Sequence, residues 1–287
     1  MTLEVPPEFL RKQFVDVGKA RVCYRKAGAG PVIVFLHGFP LSGLTWRNVA
    51  AGLADRFTCY ALDLVGLGES TSSASEDFSS PGQARVMKQA LAELGVESYA
   101  LAGNDTGGWV ARELALIDGE RVTRLALTNT EMPGHRPPWI PLYQRMIGLP
   151  GAAAVMRQML SSRRMRRAPS GFGGCFSDLD FMDGEWHGLF VAPIVASTAR
   201  VRGMFTFLDE MKFKRIDEFA ALHGELSIPV SFLWGEDDPT FPLARARKMA
   251  AQFPNVAGFK TARRAKLFFY EEQPDAAASW LAEFLGG

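Results

Sequence analysis

The sequence predicts an α/β protein: a mostly parallel eight-stranded sheet with helices on both faces and a helical cap inserted after the sixth strand. Three observations predict it. Apolar β-type runs alternate with helix-spaced segments from Val32 to Asn129, the pattern of a parallel sheet covered by helices. Several runs, such as "VIVFL" from Val32, are continuously apolar and rich in β-branched residues, as expected of strands buried on both faces. The alternation breaks from Glu131 to about Leu226 and then resumes with "PVSFLWG". The expected division is a core of residues 1–130 and 227–287 and a helical cap of residues 131–226.

The elements follow in order. "QFVDV" from Gln13 and "ARVCYRKAG" from Ala20 suit a hairpin closed at Gly18. The strand from Val32 leads to "SGLTWRNVAAGLA", whose Leu44, Val49 and Leu53 have helical spacing. Phe57 to Leu62 is a strand running into a glycine-rich loop, and a helix is expected from about Gln83 to Leu94. "SYALAG" is the next buried strand, "GGWVARELALI" a helix and "VTRLALTN" a strand. After the insertion come the strand "PVSFLWG", the helix "LARARKMAAQF", the strand "VAGFKT" and a last helix from Pro274 to Leu285.

Composition narrows the function classes. Hydrophobic residues make up 47% and charged residues 22% of the 287, ordinary values for a globular chain. A net charge of +1 gives no reason to expect a nucleic-acid or membrane partner. The start, "MTLEVPPEFLRKQF", lacks the pattern of a secretory leader, and no apolar run reaches the roughly 18 residues of a membrane span. Cys23, Cys59 and Cys175 are widely separated. They lack metal-ligand spacing, so free thiols and a cytoplasmic location are the expectation, with no metal or cofactor.

The stretch "AGNDTGGWVA" (102–111) carries the chemistry. A strand, a Gly-Asn-Asp-Thr-Gly turn and a helix have the G-x-nucleophile-x-G form in which a sharp turn presents Asp105 above the sheet. The helix N-terminus beneath it favours negative charge. Three further motifs stand in order: "HGFP" (37–40), "DLVGLGES" (63–70) and "WGEDDPTFP" (234–242). With these the chain resembles the α/β-hydrolase family over nearly its whole length. The Asp nucleophile resembles the epoxide hydrolase and haloalkane dehalogenase branch. The resemblance implies an anion hole from the Phe39 and Thr106 backbone N–H groups, Asp238 as the acid of a triad, and Asp63 in a structural turn. It also implies a histidine after the last strand, in a His-x-x-x-Glu-x-x-Pro pattern.

That histidine is missing. The matching stretch is "LFFYEEQP", with Glu271 and Pro274 in register and Leu267 at the histidine position. A one-residue slip gives Lys266, which reads as a solvated lysine unless burial strips its proton. The four histidines are His37, His135, His187 and His223. His37 reads as structural beneath the anion-hole loop, His135 as a loop residue within possible reach of the pocket, His187 as a partly buried cap residue and His223 as a surface residue. Glu131 is the alternative triad acid, with Asp238 preferred. The substrate-side signatures depart as well. Thr106 and Phe39 stand where haloalkane dehalogenases carry Trp and often Asn. Thr106 and Trp109 stand where fluoroacetate dehalogenases carry two arginines. Tyr143 is the sole tyrosine between residues 131 and 226, where epoxide hydrolases use two. The run "SSRRMRRAPS" (161–170) reads as a solvated helix face before it reads as an anion site.

Three functions are therefore open. The first is an enzyme acting on a small, largely apolar organic molecule, with Asp105 as nucleophile or general base. The second is a non-hydrolytic lyase, isomerase or cyclase on the same fold, in which Asp105 moves protons. The third is a ligand-binding pseudoenzyme. The expected partner in each is a small molecule; the oligomeric state is left open.

Overall fold

The computed structural model describes residues 4–72 and 77–286. Nine strands form one sheet among these residues: β1 Gln13–Val17, β2 Ala20–Ala27, β3 Val32–Leu36, β4 Thr58–Leu62, β5 Thr71–Ser72, β6 Tyr99–Asn104, β7 Val122–Thr128, β8 Val230–Gly235 and β9 Val256–Ala262. The order across the sheet is β1-β2-β4-β3-β6-β7-β8-β9, with β5 beside β2. β1, β2 and β4 pair antiparallel, and every pairing from β4 to β9 is parallel. The expected eight strands are the eight of the continuous path. The ninth, β5, is two residues long, too short for any periodicity to reveal.

Burial follows the sequence pattern. All six residues of β6 and all six of β8 are buried, as central strands covered on both faces require. Two helices pack together against this region. Ser80–Glu93 begins three residues earlier than expected, because the Ser79 hydroxyl accepts from the Gly82 N–H at 3.3 Å and Pro81 sits in the first turn. Thr106–Ile117 follows β6 directly.

Between β7 and β8 the chain leaves the sheet for a series of helices: Ile140–Ile147, Ala152–Ser161, Arg163–Arg166, Met182–Val191, Thr198–Asp209 and Phe213–Leu222 among others. The Met182–Val191 stretch is interrupted at Gly184, whose ψ of −131° is not helical. Arg163, Arg166 and Arg167 all pair with Asp183. Those three arginines thus staple this segment to itself rather than forming a merely solvated face. The segment is tied to the last part of the chain by backbone contacts. Phe268 N–H donates to the Cys175 carbonyl at 3.1 Å, and the Ser177 and Asp178 amides donate to Glu272 at 3.0 and 2.6 Å. Cys23, Cys59 and Cys175 are free thiols. Among the described residues no helix is long and apolar enough to cross a membrane.

Candidate active site

The turn at Asp105 is built by close packing. β6 lies beside β3, with Gly103 paired to Leu36, and the chain turns at Asp105 with φ 51° and ψ −133°. Such backbone strain is tolerated where surroundings fix it, and it clusters at functional sites. Here the Asp105 N–H donates to the Asn129 carbonyl at 2.8 Å. Glycine is needed behind the turn: a Cβ on Gly107 would lie 2.2 Å from the Leu36 carbonyl oxygen. In front, a Cβ on Gly38 would lie 2.6 Å from that of Asp105. The loop after β3 can therefore reach the carboxylate, and the Phe39 N–H donates to Asp105 Oδ1 at 2.8 Å.

Asp105 is 7% exposed. Burial pushes its carboxyl up from the usual range, and hydrogen bonds from the Thr106 and Phe39 amides pull it back. It opens onto a cavity of about 140 Å³ that is almost wholly apolar. Phe39, Phe241, Leu267 and Phe268 line it from the sheet side, and Trp139, Tyr143, Met156 and Leu208 from the helical insertion. The Tyr143 hydroxyl is already engaged, donating to the Ser170 carbonyl.

Glu131 lines the same cavity and is 3% exposed. Burial raises its carboxyl, and the negative charge of Asp105 raises it further. Asp105, with two amide donors, holds the charge of the pair, so Glu131 is the one driven to keep its proton. The sequence flagged Glu131 only as a second choice for a triad acid. Its partnership with Asp105 depends on a contact across the turn that spacing does not reveal.

Asp238 sits outside the cavity lining. It accepts from Asn129 Nδ2 at 2.6 Å and from the Thr240 N–H at 2.8 Å, and burial lifts it to about 6. Asn129, at φ 21°, also accepts from the Gly235 N–H at 2.8 Å, so one amide fastens β7 to β8 and to the acid. Leu267 is buried in the cavity wall, its carbonyl accepting from Asn104 Nδ2 at 3.0 Å.

The other candidates lie elsewhere. His37 is fully buried, with Nδ1 donating to the Gly38 carbonyl and Nε2 accepting from the Leu64 N–H, both at 2.9 Å; both ring nitrogens are in use. His135 Nε2 donates to the Thr240 carbonyl at 2.7 Å, and neither it nor His187 lines the cavity. His223 is not at the surface. It is completely buried, accepting from Arg112 Nη1 at 3.1 Å and donating to Gln252 Oε1 at 2.7 Å. Lys266 is not simply solvated: half-buried, it donates to the Gly173 carbonyl at 3.1 Å, a strut between sheet and insertion. Trp109 faces a separate space of about 10 Å³ beside Thr106 and Phe207. Asp63 accepts from the Gly43 and Glu69 amides and from Arg25, holding the turn that follows β4.

Residues 31–158 match the model of the α/β hydrolase fold family. The chain is 26% identical over 279 residues to haloalkane dehalogenase 2 of Mycobacterium tuberculosis, covering 96% of this chain and 94% of that one. It is 37% identical over 109 residues to the soluble epoxide hydrolase of Corynebacterium sp. (strain C12), 38% of each chain. Uncharacterized mycobacterial proteins match at 38% identity over 117 residues, and that match spans about a third of their length. Among solved structures, the epoxide hydrolase CorEH without ligand aligns with a TM-score of 0.81 at 24% identity, over 96% of this chain and 98% of that one. With its sheet order, its insertion before β8 and these matches, the chain has the α/β-hydrolase fold.

Proposed function

We propose that the protein is a hydrolase of small, largely apolar alkyl electrophiles, epoxides or halides, acting through an ester on Asp105. The observation that carries this reading is the single short bond from the Phe39 N–H to Asp105 Oδ1. It holds one carboxylate oxygen in the anion hole and leaves Oδ2 for attack. A carboxylate displaces at sp³ carbon to give an ester. Attack of water at the ester carbonyl then places negative charge on the oxygen already facing the Phe39 amide, where a preorganised donor counts most. The cavity supports the substrate class. It is lined by apolar groups, and its volume of about 140 Å³ resembles the roughly 150 Å³ apolar cavity that holds benzene. Similarity to a haloalkane dehalogenase and an epoxide hydrolase points the same way.

Incubation with 1,2-epoxybutane and with 1-bromobutane, followed by mass spectrometry of the Asp105 peptide, tests it. A transient adduct on Asp105, absent in Asp105→Asn, is expected. Turnover of either compound with no adduct at any time would favour a second reading, proton-transfer catalysis by the Asp105–Glu131 pair. The specific observation behind that alternative is Leu267 at the position where a water-activating imidazole would stand.

A further inference from the structure

We infer that Glu131 does the work of both missing partners, giving a proton to the leaving oxygen of an epoxide and later taking one from water, because it shares the cavity with Asp105 and meets the Thr130 hydroxyl as a carboxylic acid. The inference rests on the Asp105 ester proposed above.

The Thr130 hydroxyl fixes the protonation. Its Oγ1 lies 2.8 Å from the Asp105 carbonyl oxygen, 3.0 Å from Glu131 Oε2 and 3.3 Å from Arg112 Nη2. A hydroxyl has one hydrogen to give and two lone pairs to offer. The Asp105 carbonyl can only accept and the guanidinium can only donate. If Glu131 were ionised, two acceptors would compete for one hydrogen, and one short O···O contact would be left bare. With the proton on Glu131 Oε2, every contact carries a hydrogen: Thr130 donates to Asp105 and accepts from Glu131 and Arg112. Burial and the charge on Asp105 push Glu131 in the same direction.

The cycle then balances. In the first step Asp105 Oδ2 attacks an epoxide carbon and the C–O bond of the ring breaks. The Glu131 proton passes to the leaving oxygen, which becomes a hydroxyl. Asp105 is now a neutral ester and Glu131 a carboxylate, no longer facing a negative neighbour but still beside the Arg112 guanidinium. In the second step Glu131 takes a proton from water as that water adds to the ester carbonyl. The acyl C–O bond breaks, the water's remaining proton passes to the departing alkoxide oxygen, and the diol leaves. Asp105 is again a carboxylate and Glu131 again an acid. An imidazole is not needed, which accounts for Leu267 in the wall. One carboxyl serving first as acid and then as base is the same exchange that retaining glycosidases use. An alkyl halide needs no proton in the first step, because halide leaves as an anion; Glu131 then releases its proton to solvent, now that Asp105 is a neutral ester, before it can take one from water.

That difference supplies the test. The Asp105 adduct is followed with 1,2-epoxybutane and with 1-bromobutane in wild type and in Glu131→Gln, whose amide still donates to Thr130. The expected result is a split. Glu131→Gln slows ester formation from the epoxide by about 10²–10⁴-fold, leaves ester formation from the bromide essentially unchanged, and lengthens the life of the ester. Equal slowing with both probes would make Glu131 merely structural and overturn the inference. So would an unchanged epoxide rate. No adduct in wild type from either probe would remove the Asp105 ester itself, a separate failure. The wild type alone gives a second reading that does not depend on the variant folding. As pH rises through the ionisation of Glu131, which faces Asp105 on the turn and Arg112 on the next helix, the epoxide rate must fall relative to the bromide rate. A constant ratio would overturn the inference.

Discussion

Leu267 stands where the family resemblance implies a histidine, and substitution there has a definite expected outcome. It is buried against the same cavity as Asp105. Leu267→His places an imidazole in that wall. An ester on Asp105 should then be hydrolysed faster, by as much as the roughly 10²–10⁴-fold of general base catalysis. The polar ring costs about 1–3 kcal/mol if its hydrogen bonds are unmet, so the variant should also melt lower. Ester lifetime by mass spectrometry and a melting curve check both; an unchanged lifetime in a folded variant would mean that residue 267 does not face the ester. At this scale the sequence was legible wherever a motif fixed the spacing. Asp105, Phe39 and Asp238 stand out because local turns require their neighbours. Glu131 was only half legible, since its meaning comes from Thr130 and Asp105, which reach it through the fold. His223 was misjudged because its position near the end of the insertion suggested solvent, whereas Arg112 and Gln252 draw it fully inside.

The unit of β6, its turn and the helix Thr106–Ile117 leaves no room for a side chain at its glycines. Gly107→Ala would set a Cβ 2.2 Å from the Leu36 carbonyl oxygen and 2.6 Å from that of His37, both backbone atoms that cannot swing aside. Overpacking of this kind costs about 1–3 kcal/mol, occasionally more. Gly148→Ala, where no atom lies within 4 Å of the new Cβ, is the control. Thermal melts should show a clear loss for the first and almost none for the second; equal melts would mean that the turn relaxes freely. The buried strands were legible from the sequence because their apolar runs are unbroken. The helices between β7 and β8 were not resolved one by one. Their packing partners are one another and the mouth of the cavity, so apolar residues appear on more than one face and no single period dominates.

The molecule as a whole encloses several ionisable groups, and its stability should vary with pH accordingly. His223 is fully buried, and burial with Arg112 beside it lowers its pKa from about 6.5 to about 3. A depressed histidine binds its proton in the unfolded chain first. Its contribution is therefore complete above about pH 6.5 and is lost as pH falls toward 3, by up to about 1.4 kcal/mol per pH unit. Glu271 works in the opposite sense. Burial raises it to about 7 despite Arg47, so its contribution is complete below about pH 4.3 and is lost as pH rises through 7. Between pH 4.5 and 6.5 (roughly the shared window of the two shifts) the slopes oppose. His223→Gln removes one of them, so the stability gap between wild type and variant should narrow on acidification. Denaturant titrations at a series of pH values check this; a constant gap would mean that His223 already carries its proton in the folded state. The cavity carries the same theme into function. It has two carboxyls in its wall and no lysine, arginine or histidine. With the proton exchange inferred for Glu131 and an epoxide as substrate, the chamber holds a single negative charge at every stage: on Asp105 at rest, on Glu131 while the ester stands, and on Asp105 again afterwards. Charge moves sideways between neighbours instead of appearing or vanishing, so the surrounding dipoles have little to reorient. Turnover of an epoxide should then be nearly indifferent to ionic strength, because a charge this deep is poorly screened by salt and its amount never changes.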